Sequence, residues 1–95
     1  MIYGYARKTS DIDNLVTQIK KLEEFHVDEV HIETISNDKD DIPIFRRLLL
    51  RTKAGDVIVV LNYNKITRDI EFLSEIISAA KEHYVMIKEI LPIPK

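Results

Sequence analysis

The chain has 95 residues and a mass of 11.1 kDa, the size of one domain. Its hydrophobic fraction of 45% and charged fraction of 32% are those of a globular protein and exclude a disordered or collagen-like chain. The lack of cysteine excludes a disulfide scaffold, a thiolate metal site and a cysteine nucleophile, and fourteen basic against sixteen acidic residues exclude a domain that holds duplex DNA by overall charge. Any contact with nucleic acid is therefore local. The longest apolar run, Val57 to Leu61, is too short to span a bilayer, and no cleavable signal pattern follows Met1. These features predict a cytoplasmic protein with no membrane partner.

Ile2 to Arg7 is rich in β-branched and aromatic residues that alternate around Gly4, which predicts a first strand. Ser10 or Asp11 can cap a helix whose apolar residues Ile12, Leu15, Val16, Ile19 and Leu22 recur at steps of three and four, with Asp13 in its first turn. Val30, Ile32 and Thr34 alternate with His31 and Glu33 as a second strand, and the polar stretch Ser36 to Asp41 ends it. A second helix is predicted from an Asp40 or Asp41 cap, Pro43 in the first turn, Phe45, Leu48 and Leu49 inside and Gly55 beyond. Val57 to Leu61 is apolar at every position, as a strand covered on both faces requires. After a polar loop, Asn62 to Arg68, a third helix follows from Ile70, Leu73, Ile76, Ile77 and Ala80, and a fourth strand from Tyr84 to Ile90, stopped by Pro92 and Pro94. This βαβαβαβ order predicts an α/β fold of three layers, a parallel sheet with helices on both faces.

In such sheets the working crevice lies outside the carboxyl ends of the strands. That selects three loops: Arg7 to Asp11, Thr34 to Asp41, and Asn62 to Asp69. The first sets Arg7, Lys8, Thr9 and Ser10 at a helix start, where two hydroxyls and two cations suit a phosphate, or simply cap the helix. The third adds Lys65 and Arg68, read on spacing alone as a solvated rim. The second is acidic, with Glu33, Asp38, Asp40 and Asp41, but lacks the glycine-centred spacing of a calcium loop, so capping and solvation are expected. His26, His31 and His83 have no zinc spacing, and no metal or cofactor is expected. Phe25, Phe45 and Phe72 read as core or rim packing.

Ile2-Tyr3-Gly4-Tyr5-Ala6-Arg7, a hydroxyl residue two positions on, and Leu15 and Gln18 downstream resemble the N-terminal catalytic domain of the serine recombinases, the resolvase and invertase family. The resemblance continues through Asp41 to Leu49, Gly55 to Val60 and Leu61 to Arg68, nearly the whole chain. It implies a resolvase-like (flavodoxin-like) fold and a chemistry in which a serine hydroxyl attacks a DNA phosphodiester. The product is a covalent phosphoseryl link, with arginines stabilising the charge without a metal. Tyr5, Arg7, Gln18, Ser36 and Arg68 match the family's functional positions. The nucleophile position holds Thr9, with Ser10 one place later; the arginine before the second helix corresponds to Ile42; the Asp-Arg pair after the third strand corresponds to Asn64 and Lys65. Threonine crowds an in-line attack, Ile42 carries no charge, Asn64 cannot balance cations, and lysine lacks the planar fork that grips two phosphate oxygens.

The expected function is thus a recombinase-like domain of site-specific DNA recombination, catalytically impaired or regulatory. Two alternatives stay open: the N-terminal part of an active recombinase using Thr9 or Ser10, with Arg7, Lys65 and Arg68 on the phosphate, and a small anion or phosphate binder using Arg7, Thr9, Ser10 and Arg68 around a helix N-terminus. The chain ends where the family continues into a long helix and a helix-turn-helix domain, so residues 1–95 are expected to be the catalytic domain alone. Its expected partners are DNA, held weakly or through a full-length recombinase, and a second copy in a homodimer or higher oligomer, with Phe72, Ile90, Leu91 and Ile93 as exposed apolar surface. A receiver-like signalling domain is rejected, because Arg7-Lys8 and Asn62 stand where it needs carboxylates.

Overall fold

The computed structural model describes residues 1–8, 12–34, 42–67 and 69–90, the side chains of 12 and 13 excepted. Its elements are β1 (Ile2–Arg7), α1 (Ile12–Glu24), β2 (Glu29–Glu33), α2 (Pro43–Arg51), β3 (Val57–Val60), a 3-10 turn (Tyr63–Lys65), α3 (Ile70–Glu82) and β4 (Met86–Glu89). The four strands form one sheet in the order β2-β1-β3-β4, and every pair is parallel. This is the predicted α/β fold.

The alternation in β1 assigns the two faces of the sheet. Tyr3 and Tyr5 join Ile58 and Val60 in a core completed by Phe45 and Leu48 of α2 and Ile76 and Ala80 of α3. Ala6 and Val59 face the other way, onto Leu22 of α1. Gly4 shares that second face, where an added Cβ would lie 3.1 Å from Val27 Cγ2 and 3.2 Å from Leu22 Cδ1. Small residues in β1 therefore let α1 close onto the sheet, while the tyrosines fill the thicker layer opposite. Burying a side chain such as Leu22 contributes roughly 1.5–3 kcal/mol.

The helix ends are set locally. Asp69 caps α3, its Oδ1 accepting from Glu71 N at 3.0 Å and Phe72 N at 3.2 Å. At the other end of α3, Tyr84 takes φ 58° and Val85 N donates to Ala80 O at 2.9 Å; α1 ends the same way, with His26 at φ 62° and Val27 N on Leu22 O at 3.5 Å. Both are glycine-type terminations made without glycine. Gly55 does not cap α2. It stands at φ 92° in the turn closed by Asp56 N on Lys53 O at 3.0 Å, where positive φ suits glycine. The fourth strand is shorter than expected because Tyr84 belongs to that helix termination and Val85 precedes the ladder.

Between β1 and β3 the chain's direction across the sheet reverses: β1 leads outward to β2, and α2 carries the chain back past it to β3. That gap is the topological switch point, the place where open α/β sheets leave a crevice at their carboxyl edge.

Candidate functional site

Backbone parity in β1 prepares the crevice. Even-numbered residues turn their peptide groups toward β2, as in Asp28 N on Ile2 O at 2.7 Å and Lys8 N on Glu33 O at 2.7 Å. Odd-numbered ones turn toward β3, as in Val57 N on Met1 O at 3.1 Å. The β1–β3 ladder stops at Tyr5 and Val60, so Arg7 would present an unpaired N–H and carbonyl to the switch point. Gln18 of α1 supplies the partner. Its Oε1 accepts from Arg7 N at 2.9 Å and its Nε2 donates to Arg7 O at 2.9 Å, an amide standing in for the absent strand.

The same Nε2 donates to Asn14 Oδ1 at 2.8 Å, and that oxygen also accepts from Lys65 Nζ at 3.1 Å. Arg7 Nη1 donates to Ile66 O at 3.1 Å. The first and third loops are thus tied twice, once through the Arg7 guanidinium and once through the Gln18–Asn14–Lys65 chain. Two cations, Arg7 and Lys65, sit on these ties at the switch point, and the arrangement suits an anion with several oxygens.

Tyr5 and Glu33 form a second group beneath the crevice. Glu33 is only 1% exposed, and its Oε1 accepts from Tyr5 Oη at 3.1 Å and from Phe45 N at 3.1 Å, while Oε2 accepts from Ile44 N at 3.2 Å. Of the capping and solvation expected of the acidic residues around the second loop, Glu33 shows the capping and not the solvation: it lies at the end of β2 and caps α2 from a distance. The expected Asp40 or Asp41 cap falls on residues outside the described ones; the described residue before α2 is Ile42, which makes no side-chain cap. Pro43 has no N–H, so the next two donors, from Ile44 and Phe45, are the ones that need a partner. Burial pushes the Tyr5 phenol far up, the Glu33 charge and hydrogen bond push it further, and Arg7 opposes them weakly. Tyr5 is a permanent donor to Glu33 and touches no solvent.

Of the sequence-selected residues, Arg7, Gln18 and Lys65 come together, with Tyr5 packed below. Thr9, Ser10, Ser36 and Arg68 lie outside the described residues. Ile42 is 0% exposed and part of the core between α2 and the sheet, so its position presents nothing to the crevice. Asn64 is exposed on the 3-10 turn. Sequence reading missed Asn14 and the particular donors, Ile44 N and Phe45 N, that Glu33 caps. Asn14 sits one helical turn before Gln18, a spacing that could have flagged it; Glu33 and Ile44 are too far apart in the chain to leave a local signal. Phe72 packs partly buried against the core, as its reading as core or rim predicts and not as open apolar surface, with the Arg46 guanidinium 5.5 Å from its ring centre. Among the described residues no three His, Asp or Glu side chains gather as a metal-ligand set, and no helix is long and apolar enough to cross a membrane.

Residues 2–91 match the family described as Resolvase, N terminal domain. Tn917 resolvase from Enterococcus faecalis is 32% identical over 76 residues, covering 80% of this chain and 41% of that protein. The chain therefore spans about two fifths of the length of that curated relative. Among solved structures, a serine recombinase from Sulfolobus solfataricus superposes with a TM-score of 0.78 at 26% identity, over 99% of this chain and 70% of the other. The C-terminal catalytic domain of ISC1926 TnpA, an IS607-like serine recombinase, gives 0.77 at 18% identity over 96% and 70%, a likeness of fold. By family match, relative and fold together, the chain belongs to the resolvase family, the serine recombinases, and matches that family's N-terminal domain.

Proposed function

We propose that this domain binds a DNA phosphodiester at the switch-point crevice and is impaired in cutting it, acting as a regulatory or accessory recombinase-like domain. The observation that carries the reading is the pairing of a kept scaffold with a changed cluster. Arg7 and Gln18 hold the crevice together, while the position of the family's helix-start arginine is a fully buried Ile42. Phosphate contacts by Arg7, Lys65 and Arg68 bind DNA weakly; cleavage needs in addition an unhindered hydroxyl and a full set of fixed cations. Losing one preorganised donor from such a site costs about 2.7–4 kcal/mol of barrier, or roughly 100- to 1000-fold in rate. Thr9 in place of serine, Asn64 and Lys65 in place of an Asp-Arg pair, and Ile42 remove several such contributions, which need not add to suppress the reaction.

Tyr5 and Gln18 serve this reading as supports, and Ser36 as a further polar group of the second loop. Leu50, Ile70 and Met86 leave apolar surface, which supports association with a second copy or with a full-length recombinase. The test is titration of a short duplex, free phosphate and nucleotides at low and high salt. Duplex binding that weakens steeply with salt and is lost in Arg7→Ala supports the reading. Tight salt-independent binding of a nucleotide, with none of DNA, would favour the small-anion module instead.

A further inference from the structure

The third loop receives the Arg7 guanidinium on its Ile66 carbonyl, so the crevice keeps its shape only while that loop keeps its place. Asn62, which opens the 3-10 turn of the loop, makes no side-chain cap. The cap comes from the neighbouring strand. We infer that Glu89, at the end of β4, is a positioning residue of the crevice: its carboxylate accepts from Tyr63 N and so fixes the turn on which the Arg7 guanidinium rests. The inference rests on the reading of the crevice as a phosphodiester site, and it brings β4 into a site otherwise built from β1, α1 and the third loop.

A line of hydrogen bonds carries it. Glu89 Oε2 accepts from Tyr63 N at 3.2 Å, and β4 is itself held beside β3 by Ile90 N on Val60 O at 3.0 Å. The Tyr63 carbonyl accepts from Ile66 N at 2.9 Å and from Thr67 N at 3.2 Å. Ile66 O then accepts from Arg7 Nη1 at 3.1 Å. The line therefore runs from β4 through Tyr63 and Ile66 to the guanidinium. Tyr63 N lies beyond the β3–β4 ladder, which ends at Val60 and Glu89, so a side chain supplies its acceptor. Glu89 is half-buried, and a bond to an ionised acceptor is stronger than one between neutral groups. Its charge also reaches the Tyr63 phenol, which burial pushes up and Glu89 pushes further. Glu33 makes the same kind of contact from the end of β2, to Ile44 N and Phe45 N. Two strand-end glutamates thus reach across the carboxyl edge of the sheet, one to the start of α2 and one to the third loop.

The experiment uses the full chain and has two arms. In the first, without DNA, the Tyr63 amide proton is followed by NMR across pH. An amide bonded to a carboxylate shifts as that carboxyl titrates, so the Tyr63 resonance is expected to show an acid transition in the wild type. Glu89→Gln is expected to lose that transition at an unchanged fold, checked by the remaining amides, and to let the Tyr63 phenol titrate lower than in the wild type. The same acid transition in Glu89→Gln overturns the contact. In the second arm a short duplex is titrated at low salt against Glu89→Gln and Glu89→Ala, each shown to be folded by its amide spectrum. The two variants carry equal charge, and only glutamine keeps an acceptor for Tyr63 N. Glu89→Ala is expected to bind about fivefold more weakly than Glu89→Gln. Glu89→Gln is expected to bind at least as tightly as the wild type, because it removes a charge of the phosphate's own sign. Equal affinities of the two folded variants, or a glutamine variant as weak as the alanine one, overturn the positioning role. If the wild type itself binds no duplex, it is the phosphodiester reading of the crevice that fails, and the first arm still decides whether Glu89 holds the turn.

Discussion

The side-chain amide of Gln18 closes a two-bond ring on the backbone of Arg7, taking its N–H and giving to its carbonyl, both at 2.9 Å. The ring replaces, over one residue, the ladder that β3 no longer provides. It also couples helix, strand end and crevice in one place, so that the last residue of β1 points its guanidinium toward the third loop instead of fraying.

Replacing Gln18 by alanine is therefore expected to destabilise the domain by about 2–4 kcal/mol, because it strands a buried backbone N–H and carbonyl and opens a cavity. Gln18→Glu keeps the acceptor for Arg7 N but sets a carboxylate oxygen against Arg7 O, and is expected to cost a comparable amount. Urea denaturation measures both. Wild-type stability in Gln18→Ala would mean that the ring contributes nothing.

The Tyr5–Glu33 pair predicts an asymmetry. Tyr5→Phe removes one of three donors to a buried carboxylate and is expected to cost about 1 kcal/mol. Glu33→Ala strands the Tyr5 hydroxyl and the Ile44 and Phe45 N–H groups together, and is expected to cost about 3–5 kcal/mol and to loosen the start of α2. Thermal melts of both variants, with amide exchange at residues 44 and 45, test the order; equal losses would contradict it.

Backbone conformation predicts two changes of opposite sign. Tyr84 is 78% exposed and held at φ 58°, so Tyr84→Gly relieves a left-handed conformation at little loss of packing and is expected to stabilise by about 0.5–1 kcal/mol. Gly55 sits at φ 92° with open space around its Cα, so Gly55→Ala is expected to destabilise by about 1 kcal/mol through backbone strain alone. Chemical denaturation reads both signs.

Acid stability has a local contributor in Asp56. Its carboxylate accepts from Lys53 N at 2.8 Å and pairs with the Met1 ammonium at 2.9 Å, and these hold its pKa below the ordinary aspartate value, the Lys53 bond being the larger cause. A lowered folded-state pKa gives stability that is fully present above the unfolded value of about 3.9 and is lost as pH falls through the folded value. Asp56→Asn is expected to flatten the fall of stability below about pH 4, read from urea midpoints across pH. An unchanged acid limb would contradict the role.

Much of the fold was legible because period and face are sequence properties. The alternation in Ile2–Arg7, the apolar run at Val57 and the three- and four-residue steps in all three helices each found their element. What was not legible depends on residues distant in the chain. Glu33 looked like one of several acidic residues around the second loop, and only folding brings it to Ile44 and Phe45, whose N–H groups it accepts from. Tyr84 looked like the start of a strand because aromatic residues favour strands, yet helix termination claimed it. The crevice was found from strand topology and residue matching, while Asn14, the link between its walls, was signalled only by its place one helical turn before Gln18.

The most direct test of the central claim is covalent trapping on a nicked duplex carrying the recombination site of a related element, which blocks religation and accumulates any protein–DNA ester. The wild-type chain is expected to shift the duplex only reversibly, leaving no linkage that survives denaturation. A stable ester through Thr9 or Ser10, identified by mass spectrometry of the trapped peptide, would show that the altered cluster still cuts DNA and would contradict the account.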